Sequence, residues 1–341
     1  MSVVAYDYNP AGAPIDPRNH FLPPRYHVRR LGEDTDASWE TIPPVAVLCD
    51  AQGEEIRPHS ARIRLAWDDA HLYLRAACEE TRFTADPARC ADFARFWEQD
   101  HVELRFTPDP ARPLKQIQFI IIPDGRFWDN QGLWKQDGAV ALDGEVTDSG
   151  WCLSVRIPFA AMGLPVPKVG AVLQGFVANC RWADRWPDIS GISPAELGFA
   201  QADRHAELVF DGPDTGAVLL DRIEFDRRIL RCGPNAAVAT LVNTADAPIP
   251  GRLRITREKG PDTPGHVHSR DVEIAPGPNA LPFQMDLDRP QFNRYRFSLC
   301  VDGRTRELAA VTLRGGVPDL DPAALKIEHP YLYFTPQRLE E

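Results

Sequence analysis

The chain has little that marks catalysis. Across its 341 residues there is no nucleophile elbow, P-loop, dinucleotide fingerprint or H-E-x-x-H pair. Its seven cysteines, Cys49, Cys78, Cys90, Cys152, Cys180, Cys232 and Cys300, are odd in number and widely spaced, with no C-x-x-C. That spacing argues against a metal-ligand set or a disulfide framework, and they read as small buried hydrophobes. Positive charge is also scarce. The 38 basic residues face 49 acidic ones, for a net charge of −11. A nucleic-acid partner needs a basic footprint and is disfavoured. No apolar run approaches the length of a membrane span. The opening residues Met1-Ser-Val-Val lack the basic-then-apolar layout of a signal peptide. Helical periodicity is confined to single turns near 91–96 and at Pro158 to Gly163.

What is present is strand-like. Apolar content of 43% supports a sizeable core, and the length favours more than one domain. Short alternating runs lie at 62–67, 71–78, 101–107, 116–122, 151–157, 171–182 and 206–210, with Asp68-Asp69 as a tight turn between the first two. Gln116 to Ile122 is apolar at both parities after Gln118, which suits a central strand covered on both faces. Around 213 a Gly/Pro cluster intervenes and the spacing resets. Further runs follow at 217–224, 228–232, 236–243, 251–257, 266–274, 280–286, 293–301 and 304–313. The expected class is all-β, with two β-sandwiches. Residues 1–30 read as an extended N-terminal arm, 31–212 as the first sandwich and 213–318 as a smaller immunoglobulin-like sandwich. Residues 319–341 read as a linker. Within it Thr335-Pro336 gives a helix start without the helix, which suggests that the natural polypeptide continues.

The run Phe96-Trp97-Glu98-Gln99-Asp100-His101-Val102-Glu103-Leu104-Arg105-Phe106 is the most informative. Val102, Leu104 and Phe106 share one strand face; His101, Glu103 and Arg105 share the other. A ring beside strand-borne polar groups suits a sugar, because the ring covers the C–H face and a carboxylate accepts hydroxyl hydrogen bonds. The same run also fits a strand preceded by a core Trp.

Six stretches together resemble family 9 carbohydrate-binding modules, whose fold DOMON-type domains share. They are Trp39 after Gly32-Glu-Asp; Leu65-Ala-Trp67-Asp68-Asp-Ala-His-Leu72-Tyr73; Trp97-Glu98-Gln99-Asp100-His-Val-Glu103; Trp151 to Pro158; Gly175-Phe176-Val-Ala-Asn179; and Leu197-Gly198-Phe199. The resemblance covers about 31–210 and implies a jelly-roll or immunoglobulin-type sandwich. It assigns Trp97 to one wall of an aromatic sandwich and Glu103 and Asn179 to sugar hydroxyls. The opposing Trp it expects is replaced by Gly191 and Ile192, with Trp182 and Trp186 nearby as substitutes. A basic position is replaced by Ile120. Arg105 and Gln118 complete the candidate set. The tail from Ile327 to Pro336 resembles the segment leading into the helical toroid of heparinase II/III-type polysaccharide lyases. The resemblance thus implies a non-catalytic, polysaccharide- or oligosaccharide-binding region ahead of a catalytic domain in the same polypeptide, secreted or periplasmic.

Other readings stay open. The region could instead pack on its catalytic domain and bind no free sugar. A haem-binding DOMON-like domain would need an axial ligand such as Met162 or Met285. Trp128 and Trp134, with Asn130 and Gln131, form a second aromatic loop. Trp39, Trp67 and Trp151 read as core. His266-Val-His268 reads as a solvated strand face. Two of Glu98, Asp100 and Glu103 are close enough in sequence to perturb each other, but the run fits one ligand-binding acid with loop or calcium-oxygen ligands better than a catalytic pair. No cofactor is certain. A structural calcium held by loop carboxylates and carbonyls is the one ion considered.

Overall fold

The computed structural model describes residues 21–32, 39–56, 61–79, 97–182, 188–196, 198–212, 216–258, 267–287 and 292–316. The turn near 91–96, His266, Trp186 and the tail from 317 lie outside them. The protein is all-β. The strands of the first half are β1 (Arg25–Arg30), β2 (Arg62–Trp67), β3 (His71–Cys78), β4 (His101–Thr107), β5 (Ile117–Ile122), β6 (Arg126–Asp129), β7 (Ala141–Thr147), β8 (Gly150–Pro158), β9 (Val172–Arg181), β10 (Asp188–Gly191) and β11 (Ala206–Phe210). Those of the second half are β12 (Val218–Phe225), β13 (Gly233–Asn243), β14 (Ile249–Glu258), β15 (Val267–Ile274), β16 (Gly277–Leu287), β17 (Asn293–Val301) and β18 (Arg304–Leu313).

In the first half, β1-β11-β9-β4-β5-β6 form one layer, with β10 also on β9, and β1-β2-β3-β8-β7 form the other. Alternation explains the strands. Val102, Leu104 and Phe106 of β4 are fully buried in the layer between the sheets, with Leu65, Leu74, Val155 and Ile157 from the opposite sheet. Trp67 and Trp151 are buried in this core and Trp39 in a small cluster beside it, as their settings in the sequence predict. β5 is buried along almost its whole length, including Ile120 and Ile121, which point to opposite faces. Asp68 closes the β2–β3 turn by accepting the Ala70 and His71 amides at 2.7 and 2.6 Å. In the second half, β12-β13-β16 and β15-β14-β17-β18 enclose a second core around Leu241, Ile255, Met285 and Phe297.

Four expectations change. Residues 25–30 are not part of an extended arm lying on the surface: they form β1, which pairs in parallel with β11 at Arg25–Val28 and with β2 at Arg29–Arg30, so one strand serves both sheets of the first layer pair. The segment 228–232 is not a strand but two isolated bridges, Glu55 with Ile229 and Arg231 with Gly316. Strands β6, β7 and β10 are additions; β7 is largely exposed on both faces and so has no period-2 apolar signal. Cys152 is exposed on β8, whereas Cys49, Cys78 and Cys180 are buried.

The two halves touch at several places, among them the bonds of the 46–56 segment to Ile223, Arg228 and Leu230. β1 joins their sheets: Arg25 pairs with Ala310 of β18, so that one hydrogen-bonded sheet runs from β15 to β6. The polar edge of β1 adds charged contacts. His27 Nδ1 lies 3.0 Å from Asp211 and its Nε2 lies 3.2 Å from Glu307. Arg25 binds Glu207 at 2.5 Å and Glu307 at 3.1 Å. A connecting segment alternates between the cores: Leu48 enters the first, Val47 and Cys49 the second.

Burial disfavours the His27 cation, but Asp211 and Glu307 outweigh it and raise its pKa to about 9. A folded-state pKa above the unfolded value of about 6.5 gives a contribution that is complete below pH 6.5 and lost as pH rises through 9. Thermal unfolding followed across pH 6–10 should show this loss, roughly 3 kcal/mol. In His27→Gln the slope over that window should flatten. An unchanged slope would remove His27 from the contact.

Candidate functional site

The face of β4 opposite the core opens into a concavity of about 390 Å³, lined by Trp97, His101, Glu103, Arg105, Gln118, Ile120, Trp128, Cys180, Trp182, Ile189 and Phe199. Register builds it. On β4, His101, Glu103 and Arg105 face Cys180, Ala178 and Phe176 of β9. On the other side Glu103 and Arg105 face Ile120 and Gln118 of β5. β6 adds Trp128 beside Ile120, and β10 adds Ile189 beside Cys180.

Glu103 lies at the base, nearly fully buried. Its Oε1 accepts Arg105 Nε at 2.5 Å and Gln118 Nε2 at 2.9 Å. Arg105 also donates to Gln116 Oε1 at 3.3 Å, and Gln116 is anchored on the carbonyls of Pro113 and Ala200. The polar base is therefore held by a chain of partners rather than by one contact. Burial opposes the charge on Glu103, but His101 and the Arg105 guanidinium hold its carboxyl below the usual range. Burial would also favour a neutral His101, yet Cys180 and Glu103 raise it well above its usual value. Burial pushes the Cys180 thiol up.

Trp97 is 47% exposed. It lines the cavity at the entry to β4, so the reading as a core Trp does not hold. Trp182 is half-buried, and its amide donates to Asp100 Oδ1 at 2.5 Å. That bond ties the segment before β4 to the segment after β9. Five of the sequence candidates thus converge: Trp97, Glu103, Arg105, Gln118 and Trp182. Trp186 lies outside the described residues. Asn179 does not join them. It pairs with Val102, so its side chain shares the core face of the sheet, and it is not among the lining residues.

Trp128 belongs to the cavity, whereas its neighbour Trp134 does not line it and stands beneath Lys135 at 5.0 Å. Asp129 shapes this loop by accepting the amides of Gln131, Leu133 and Trp134 at 2.7, 3.1 and 2.8 Å. Asn130 is consumed in tying the loop to β5, through Gln118 N at 3.0 Å and Gln116 O at 2.8 Å. Met162 is buried in the first core and Met285 in the second. Neither reaches the cavity, which leaves the haem reading without the Met ligands it named. His268 is exposed on β15.

The sequence did not single out His101, Cys180 and Glu103 as a group. Their ligand atoms lie within 4.8 Å of one another, and all three side chains are buried. Cross-strand pairing of His101 with Cys180 produces the group, and pairing is not written in either strand alone.

Gly191 explains the missing aromatic. A Cβ there would stand 2.6 Å from Phe176 Cζ. Phe176 is itself stacked on Phe199 with centroids 4.8 Å apart. That stack fills the space beside Gly191, and Ile192 turns into the first core. The remaining cavity indoles, Trp97, Trp128 and Trp182, come from three other segments.

No family model matches the chain, and no curated protein matches it. Solved structures give weak likenesses. A Bacteroides uniformis protein described as carbohydrate-binding is 18% identical, covering 56% of this chain and 100% of that one, with a TM-score of 0.42. A Bacteroides uniformis β-glucuronidase is 11% identical over 72% of this chain and 26% of its own, with a TM-score of 0.23. A red sea bream transglutaminase is 8% identical over 76% of this chain and 32% of its own, with a TM-score of 0.23. The chain spans only a minor part of those two enzymes, and at these scores the likenesses say nothing about the cavity.

Gly191→Ala should destabilise the protein by roughly 1–3 kcal/mol, since a methyl has to displace a stacked, buried ring. Its backbone is not left-handed, so the effect isolates sterics. Thermal unfolding of the variant measures it; a neutral result would mean that the Phe176–Phe199 stack yields easily.

Proposed function

We propose that the chain is a non-catalytic carbohydrate-binding region that holds a sugar in the β4 cavity. The observation that carries this reading is the exposed Trp97 indole in the same concavity as a fixed Glu103. An indole covers the apolar face of a pyranose, while Glu103, Arg105 and Gln118 meet its hydroxyls. Trp128 and Trp182 supply further apolar wall in place of the expected opposing Trp. The family 9 module resemblance supports the same assignment and extends it. Residues 31–212 would be the module and 213–318 an immunoglobulin-like spacer, with two separate cores in support of a boundary near 212–217. A polysaccharide-degrading domain would follow in the same polypeptide, as the resemblance of the tail to a lyase entry segment suggests.

A second reading is a packing domain that binds no free sugar. It is favoured by Gly191, which removes the second wall of the aromatic sandwich. It is also favoured by the hydrogen bonds that Glu103 already makes to Arg105 and Gln118.

A glycan array on the purified chain separates the two, since only the first reading gives specific binding. Trp97→Ala should then weaken binding by roughly 1–3 kcal/mol and leave the melting temperature nearly unchanged. A large loss of stability would show the ring to be structural. Wild-type chain that binds nothing on the array would favour the packing reading. The same preparation should release neither unsaturated uronate nor reducing ends from polysaccharides. Turnover abolished by Glu103→Gln with the fold intact would overturn the non-catalytic assignment.

A further inference from the structure

The polar floor of the cavity contains more than a sugar needs. His101 and Cys180 are direct cross-strand partners on β4 and β9, and Glu103 follows on the same face of β4. Their donor atoms lie within 4.8 Å of one another, and the side chains are 2–4% exposed. Two paired strands of the first core fix this placement.

Two of the three donors are already aimed. His101 Nδ1 donates to the Gln99 carbonyl at 2.6 Å. That bond turns Nε2 into the cluster, where it is buried and has no hydrogen-bond partner among the described residues. An unpartnered buried ring nitrogen is costly in either protonation state. Glu103 uses Oε1 for Arg105 and Gln118, and its Oε2 stands 3.8 Å from His101 Nε2. A histidine whose second nitrogen donates to a backbone carbonyl, and a carboxylate steadied by its own hydrogen bonds, are the outer supports that metal ligands have.

We propose that His101 Nε2, the Glu103 carboxylate and the Cys180 sulfur form a zinc-type divalent-metal site at the floor of the cavity. One imidazole nitrogen, one carboxylate oxygen and one thiolate suit Zn²⁺ and the metals that substitute for it, rather than Ca²⁺ or Mg²⁺, which take oxygen ligands. Binding displaces the protons on Sγ and Nε2 to solvent. Thiolate and carboxylate then balance the two positive charges of the ion, and Arg105 remains on the far carboxylate oxygen. Three protein ligands leave a fourth position facing the open cavity, where water or a ligand oxygen completes the shell. This site stands on its own donors and does not depend on whether a sugar binds.

Co²⁺ titration of the metal-stripped chain without sugar tests it. One equivalent should produce a thiolate-to-cobalt charge-transfer band in the near ultraviolet, and Zn²⁺ should abolish it. Cys180→Ser should lose the band, and Zn²⁺ affinity in Cys180→Ser and His101→Gln should fall by more than the roughly 10–100-fold that loss of an outer partner costs. Cys152→Ser, which alters an exposed thiol, should behave as wild type. Absence of the band in the wild-type chain, or its survival in Cys180→Ser, overturns the proposal. Should Cys180→Ser not fold, X-ray absorption of the wild-type zinc complex decides: sulfur among the ligands, lost sites in His101→Gln, supports the assignment, and a shell of light atoms alone overturns it.

Discussion

The site depends on the register of β4 against β9. Val102, Leu104 and Phe106 have to enter the core, because each is fully buried between the sheets. Since side chains alternate, that requirement sends His101, Glu103 and Arg105 to the cavity and aligns His101 with Cys180. A slip of one residue would put a carboxylate, an imidazole and a guanidinium into the hydrocarbon layer. The apolar face therefore enforces the chemistry of the polar one, and the cavity needs no stabilising interaction of its own to fix its order.

Parity was legible in β4 because its two faces differ in polarity. The alternation of 101–106 assigns every side chain to the face it occupies. The buried Trp67 and Trp151, the Asp68 turn and the doubly covered β5 could be read in the same way. β9 is different. From Gly175 to Cys180 it is buried on both faces, so it has no period-2 signal, and the face of Asn179 cannot be read from its neighbours. The placement of Asn179 against the core, and of Cys180 in the cavity, follows from pairing with β4. Pairing is a tertiary fact. The same applies to β1, whose apolar Tyr26 and Val28 alternate with Arg25 and His27 whose partners lie on two other segments.

Two charged assemblies follow contrasting rules. At β1, His27 and Arg25 meet Asp211, Glu207 and Glu307 where the two cores adjoin. Each cation there has an anion within hydrogen-bond distance, so the pairing compensates desolvation. At the cavity floor the Arg105–Glu103 pair is compensated likewise. His101 Nε2 has the Glu103 charge 3.8 Å away but no hydrogen-bond partner among the described residues. The first arrangement reads as a structural tie. The second leaves a buried donor atom without a hydrogen bond, a feature that needs an explanation of its own.

This asymmetry bears on how one carboxylate can serve two kinds of ligand. Glu103 divides its oxygens. Oε1 belongs to Arg105 and Gln118, on the side of the cavity formed by β5. Oε2 faces His101 and, beyond it, Cys180 on β9. A hydroxyl approaching over Trp97 and Gln118 would compete for lone pairs of Oε1, whereas a cation would draw on Oε2. The two do not exclude each other, because a carboxylate has about four acceptor directions and hydrogen bonds among the described residues use two of them. Charge links them instead. A cation beside Oε2 would withdraw density from Oε1 and so change how strongly Oε1 accepts, with Arg105 still bound to it. The polar character of the sugar-facing wall would then depend on what the β9 side of Glu103 holds, through a single side chain and without movement of the sheet.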